Sequence, residues 1–184
     1  MAAQQLILGD AVDFITGDTI VDTVDERARQ KIARFLIENK GYQKKDIDTR
    51  RKIQLSVDGN TGETVVDFII KITDIAFILI IFAPGSIVTR ERLTVAAARL
   101  AEDYEIPISI ITNGVNAHII ETRSGRVIAE GFDKIPSQKE AAKKMSSLAL
   151  KKISKERLEK ERRILYTLDV LSKKECDDFT CCRF

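Results

Sequence analysis

The sequence of 184 residues has no tryptophan, a single histidine, three prolines and no apolar run of membrane-spanning length. A transmembrane helix needs roughly 18 to 20 consecutive apolar residues. The N-terminus, MAAQQLILGD, lacks the basic start and long apolar region of a signal peptide. We therefore expect a cytoplasmic protein with no membrane association.

Cysteine and histidine are too few and too poorly spaced for a disulfide framework or a zinc site. Cys176, Cys181 and Cys182 all lie at the extreme C-terminus, far in sequence from His118. A secreted scaffold would distribute its cysteines through the fold, and a structural zinc site usually takes four well-spaced ligands. We expect reduced thiols in the tail and a half-buried sheet position for His118. No Gly-Lys-Ser/Thr loop is present, so no nucleotide partner is expected.

What is present is the composition of an ordinary globular domain, with 44% apolar and 32% charged residues. The length allows one domain, or one domain with an appendage. The charge is uneven: residues 1–26 carry six acidic and no basic residues, whereas residues 139–163 carry ten basic and four acidic residues. We divide the chain into an N-terminal extension (1–22), a core (23–135) and a C-terminal helical segment (136–184).

Periodicity places helices and strands in a definite order. Thr23 and Glu26 fit a capping box at the start of a helix that runs to about residue 40. Alternating apolar residues predict a hairpin over 50–57 and 65–72, then a buried strand over 77–83. A helix over 89–104 and a strand over 108–111 make a right-handed crossover, which makes the strands around 79 and 110 parallel. A hairpin over 115–129 and two further helices follow, the last with Leu158, Leu165, Leu168 and Leu171 on one side. The predicted fold is α/β, with a central mixed β-sheet flanked by helices.

The most apolar stretch, Ala76 to Ser86, follows a strand, VVDFIIK, that carries one aspartate, Asp67. A lone aspartate among apolar residues must find hydrogen-bond donors or remain ionised at a cost. Arg29 and Arg50 are its candidate partners, and Asp67 either stabilises the fold or lines a cleft.

Three segments resemble the N-terminal domain family of type I restriction enzyme R subunits. They are VDERARQKIARFLIENKGYQKKDID at 24–48, VVDFII at 65–70 and IPISIITNG at 106–114. The resemblance implies a restriction-endonuclease-like core of the PD-(D/E)xK superfamily. In such a core an Asp and a Glu-x-Lys pair on the next strand hold a divalent metal and assist the attacking water. Asp67 matches the aspartate, but Ile80 and Phe82 stand where the family keeps Glu and Lys.

This departure leaves three hypotheses. The first is a catalytically inactive domain that binds nucleic acid or a protein partner, with phosphate contacts from Arg29, Arg50, Arg51, Lys52 and the 139–163 helices. The second is an active Mg²⁺-dependent DNA endonuclease whose second carboxylate has moved. The third is an assembly module, a homodimer formed through the C-terminal helix.

Several residues bear on the second hypothesis. Glu26 is the other candidate catalytic residue, although the capping box already accounts for it. Lys71 shares the face of Asp67 but lies about 13 Å away by strand rise. Glu91 and Glu102 on the crossover helix are candidates for a moved carboxylate. We expect no cofactor under the first hypothesis and Mg²⁺ under the second.

Overall fold

Two β-sheets and four α-helices make up the part of the chain that the structure, a computed structural model, describes, residues 6–171. The strands are β1 (Ile7–Val12), β2 (Thr19–Thr23), β3 (Ile47–Val57), β4 (Asn60–Ile72), β5 (Ile75–Phe82), β6 (Ile108–Thr112), β7 (Ala117–Glu121) and β8 (Arg126–Glu130). The helices are α1 (Val24–Glu38), α2 (Glu91–Leu100), α3 (Gln138–Ser146) and α4 (Lys155–Leu165), and α4 continues into a π-helical turn, Tyr166–Leu171.

The central sheet has six strands in sequence order, β3-β4-β5-β6-β7-β8. Strands β5 and β6 are parallel, with Ile80 opposite Ile110, and every other neighbouring pair is antiparallel. Helix α2 makes the crossover between the two parallel strands. The predicted mixed sheet, its two hairpins and its parallel pair are therefore confirmed.

Two tight turns set the register of the first three strands of this sheet. Asp58 and Gly59 join β3 to β4 with φ angles of 49° and 82°, and Thr73 and Asp74 join β4 to β5 with φ angles of 48° and 65°. Positive φ at both central positions gives the turn whose twist matches that of paired strands. The Asp-Gly pair is a strong sequence signal for this turn, whereas Thr-Asp is not, because a β-branched residue rarely adopts positive φ.

Helices cover both faces of the sheet. Side chains of α2, α4 and the π-helical turn pack on one face, with Leu93, Ala97 and Leu165 fully or almost fully buried. Side chains of α1 and α3 pack on the other, with Ile32 and Ala141 fully buried. We call these the α2 face and the α1 face. Since both faces are covered, β5 is apolar throughout, as a strand buried on both sides should be.

The N-terminal residues contain a hairpin that sequence patterning did not predict. Strands β1 and β2 pair only with each other in the described residues. Many of their apolar side chains face solvent, so the alternation that marks a half-buried strand is weak. Ile7 is 70% exposed and Val12 is 66% exposed.

The predicted leucine stripe of the last helix is wrong in its second half. Leu165 is fully buried, but Leu168 and Leu171 are 38% and 37% exposed. The π-helical turn is wider than an α-helical turn, and it places Tyr166 and Val170 in the core instead. Cys176, Cys181 and Cys182 lie outside the described residues. No helix within 6–171 is long and apolar enough to cross a membrane.

Candidate functional site at the carboxyl end of strand β5

A cavity of about 320 Å³ opens at the carboxyl end of β5, beside the connection to α2. Crevices at the carboxyl ends of parallel strands are common ligand sites in α/β sheets. Among the residues that line it are three carboxylates and three arginines: Glu26, Asp67, Asp169, Arg29, Arg50 and Arg90. The cavity therefore has charges of both signs in equal number.

Asp67 is buried, with 7% of its surface exposed, and both of its carboxylate oxygens have donors. Arg29 Nε donates to Oδ1 at 2.5 Å, and the backbone N–H of Phe82 donates to Oδ2 at 2.7 Å. Burial raises the pKa of Asp67, although the charge of Arg29 and the two hydrogen bonds act in the opposite direction. Of the two partners predicted for Asp67, Arg29 is the one that pairs with it.

Arg29 also packs against the aromatic ring of Phe82. Its guanidinium lies 5.2 Å from the ring centroid of Phe82, within cation–π range. Phe82 and Ile80 are both buried on the α1 face, at 7% and 0% exposure. Ile80 and Phe82, which the sequence resemblance places where the family keeps Glu and Lys, therefore point to the same face as each other, and both side chains are apolar.

Glu26 belongs to a second group of ion pairs centred on Arg50. Arg50 bonds Glu26 Oε1 at 2.7 Å and Asp13 Oδ2 at 2.6 Å, and Gln30 donates to both carboxylates. Thr23 caps α1 by accepting the N–H of Glu26. The Glu26 side chain does not accept the backbone N–H of Thr23, because it pairs with Arg50 instead. Only half of the predicted capping box therefore forms.

The backbone at Arg50 has an uncommon conformation. Its φ is 51°, in the left-handed region, and it lies at the level of Asp67 on the neighbouring strand, between the Thr49–Phe68 and Arg51–Val66 pairs. Both strands exchange faces here: Ile47 and Phe68 face α1, whereas Ile53 and Val66 face α2. Because of this exchange, the side chains of Arg50 and Asp67 do not follow the regular face-to-face alternation of a strand, and both line the cavity. A non-glycine residue in this region costs about 1 kcal/mol or more and often marks a functional site.

The other two predicted phosphate contacts lie on β3 and face carboxylates. Arg51 is 3.5 Å from Asp48 and 3.6 Å from Glu102, and Lys52 Nζ is 3.0 Å from Glu63. Their side chains are 43% and 66% exposed, so these are surface ion pairs of small strength.

The residues considered as substitutes for the missing Glu and Lys, which are Glu91, Glu102 and Lys71, do not line the cavity. Lys71 bonds Asp48 at 2.8 Å, and Glu102 pairs with Arg51. Glu91 Oε1 lies 2.5 Å from His118 Nδ1. His118 is half-buried on β7, as expected, but sequence spacing gave no indication of its contact with Glu91.

A family comparison adds to this geometry. The family model described as the N terminus of the type I restriction enzyme R protein matches residues 24–136. The chain belongs to this family. No curated protein and no solved structure matches significantly. The family resemblance expected from the sequence is thereby confirmed, and the six-stranded mixed sheet with flanking helices is consistent with its nuclease-type fold.

The fold of this family implies a divalent metal, and the donor set of this chain fits one poorly. Mg²⁺ takes oxygen ligands and usually draws on protein carboxylates. Within residues 6–171, no three or more His, Cys, Asp or Glu side chains are grouped to hold a metal ion. The oxygens of Asp67 already accept from Arg29 and Phe82, and Oε1 of Glu26 accepts from Arg50 and Gln30. A cation would have to compete with these donors to reach the oxygens.

Two acidic residues near the cavity were not predicted from the sequence. Asp13 Oδ1 accepts the N–H groups of Ile15 and Thr16, an Asx turn that the Asp13-to-Gly17 segment could have indicated. Burial acts to raise the pKa of Asp13, but these bonds and Arg50 outweigh it, so the pKa is lowered. Asp169 accepts from Thr64 at 2.5 Å. No local pattern signals Asp169, because the π-helical turn brings it there.

Proposed function

We propose that this restriction-subunit family member is a nuclease-fold domain that does not cleave DNA and acts by binding nucleic acid. The proposal rests on the two partners of Asp67. Arg29 and the Phe82 N–H engage both oxygens of the one acidic residue on β4 that matches the family's aspartate. The neighbouring strand offers Ile80 and Phe82, whose side chains have no atom that binds a metal or activates water.

Arg29 supplies the positive charge that Asp67 requires in its buried position. A guanidinium at 2.5 Å compensates an ionised carboxylate, which would otherwise be costly to bury. In this proposal Asp67 and Glu26 hold the cavity together rather than acting as catalytic residues. Arg29 and Arg50 have the same structural role, and Arg51 and Lys52 remain proposed phosphate contacts on the exposed strand β3.

The test is a nuclease and binding assay on the full chain. Supercoiled, linear and single-stranded DNA are incubated with Mg²⁺ and with Mn²⁺, and binding is measured at low salt. We expect binding that weakens steeply with salt and no cleavage above that of an Asp67→Ala control. Cleavage that disappears in Asp67→Ala would instead establish the active endonuclease, with Mg²⁺ as its cofactor.

Self-association is a second candidate function. The exposed apolar side chains favour the hairpin over the C-terminal helix as the contact, since Leu168 and Leu171 are only 38% and 37% exposed whereas Ile7, Val12 and Val21 are 70%, 66% and 53% exposed. Light scattering after size exclusion should give a dimer that a Val12→Lys, Val21→Lys variant converts to a monomer. A monomeric wild type at high concentration would contradict this candidate.

A further inference from the structure

A second pocket, of about 360 Å³, lies between α2, α4 and the turn that joins β7 to β8. It shares no lining residue with the cavity at Asp67. Three arginines line it, two from α2 and one from α4: Arg92, Arg99 and Arg157. We propose that this pocket binds a phosphate group of a nucleic-acid backbone, which rests on the nucleic-acid binding proposed above.

The three arginines converge on one buried carboxylate, Glu161. Arg99 donates to Oε1 at 2.7 Å, Arg92 donates to Oε2 at 2.6 Å, and Arg157 Nε lies 3.3 Å from Oε1. Glu161 is 1% exposed, so its negative charge lies beneath the pocket surface. It holds the guanidiniums together without covering them.

Arg99 forms the floor of the pocket. It is 3% exposed and donates to the backbone oxygens of Thr122 and Arg123, which ties α2 to the β7–β8 turn. Its Nε lies 3.3 Å from Glu105 but makes no hydrogen bond within the described residues. The floor of the pocket is thus a buried guanidinium that Glu161 and Glu105 hold in place.

Arg92 and Arg157 form its rim. Their side chains are 44% and 47% exposed. A guanidinium has five N–H donors, and within residues 6–171 each of these two uses only one of them on Glu161. The remaining N–H donors of these two adjacent guanidiniums suit the tetrahedrally arranged oxygens of a phosphate, which arginine binds bidentately.

The charged side chains around this pocket favour an anion more than those around the cavity at Asp67 do. Glu91 is the one carboxylate that lines this pocket, and its Oε1 is engaged by His118. Arg123 and Arg126 on the β7–β8 turn are exposed, and no carboxylate of residues 6–171 lies within 4.0 Å of either. Arg29, Arg50, Arg51 and Lys52 each face at least one carboxylate, whereas the rim residues Arg92 and Arg157 share the single buried carboxylate of Glu161.

The experiment compares two double variants of the full chain that remove the same charge. Arg92→Gln with Arg157→Gln alters the pocket, and Arg27→Gln with Lys134→Gln is the matched control, since each of these two exposed residues pairs with a surface carboxylate away from the pocket. Binding of a short labelled DNA duplex is followed by fluorescence anisotropy over a series of salt concentrations. Thermal melting checks that both variants fold, which we expect because Arg99 still pairs with Glu161.

We expect the pocket variant to bind about ten-fold more weakly and to lose about one unit from the slope of log K against log salt, the value for one phosphate contact. The control variant should change affinity by less than about two-fold. A loss in the pocket variant no larger than that in the control variant would overturn the pocket while leaving nucleic-acid binding in place.

A separate titration with inorganic pyrophosphate distinguishes failure of the pocket from failure of the proposed function. If the wild type binds no nucleic acid but binds pyrophosphate in a manner that Arg92→Gln with Arg157→Gln abolishes, the anion pocket stands and the nucleic-acid function fails. If it binds neither, both are overturned.

Discussion

Replacing Arg29 with methionine tests whether this residue is the internal cation that keeps Asp67 ionised. The substitution retains an apolar stem but removes the 2.5 Å contact to Asp67 and the guanidinium over Phe82. Asp67 keeps the N–H of Phe82 and stays buried. Its charge then lacks the compensation that a buried ion needs.

The expected loss in free energy of unfolding follows from how deeply Arg29 and Asp67 are buried. Breaking a fully buried ion pair costs about 3 to 5 kcal/mol. Arg29 is 27% exposed, so solvent screens part of the charge, and we expect the lower value of about 2 to 3 kcal/mol at neutral pH. For a chain of this length that is a decrease in Tm of roughly 4 to 12 °C.

The loss should depend on pH in a definite direction. The pKa of Asp67 is already raised by burial, and without Arg29 it rises further. A raised carboxyl pKa favours the native state below the unfolded pKa, near 3.9, and this contribution is lost as pH rises through the folded pKa. The variant should therefore lose less stability, relative to wild type, at about pH 5 than at about pH 7.5.

Urea unfolding at the two pH values measures this difference. Adding Asp67→Asn to Arg29→Met should recover more than half of the loss at neutral pH, because the amide is uncharged and still accepts the Phe82 N–H. Arg27→Met is the matched control, since Arg27 pairs with Asp22 at the surface and should give the same small change at both pH values. An equal loss at both pH values that Asp67→Asn fails to relieve would refute the role assigned to Arg29.

Two further predictions concern the docking of the C-terminal helix. Gly62→Ala should destabilise the protein by about 1 to 3 kcal/mol in urea unfolding, because the added Cβ would lie 2.5 Å from Val170 and 3.2 Å from Tyr166. Thr61→Ala, at an exposed position, is the control and should have little effect. Equal stability of the two variants would contradict the packing of Val170 and Tyr166 on Gly62. Glu161→Gln should cost about 3 kcal/mol or more by leaving the buried Arg99 with less compensation, and a Tm within error of wild type would contradict this.

Much of the fold follows from local pattern. The apolar run over 77–83 predicted a strand covered on both faces, and the crossover helix predicted that this strand pairs in parallel with the strand at 108–111. The Asp58-Gly59 turn fixed the register of β3 and β4. Family membership could also be predicted from the sequence, because each segment that carries the resemblance, such as VVDFII or IPISIITNG, is a continuous stretch of the chain.

The sequence by itself determined that Asp67 would be a lone acid among apolar neighbours and that Ile80 and Phe82 would bring no polar side chain to it. Only the tertiary structure decided which cation compensates it: Arg29 rather than Arg50, because the strands exchange faces at Arg50 and direct that side chain to Asp13 and Glu26. The same holds for the second pocket. Side chains from α2, α4 and the β7–β8 turn meet there through packing, and no sequence spacing encodes a contact between elements so far apart in the chain.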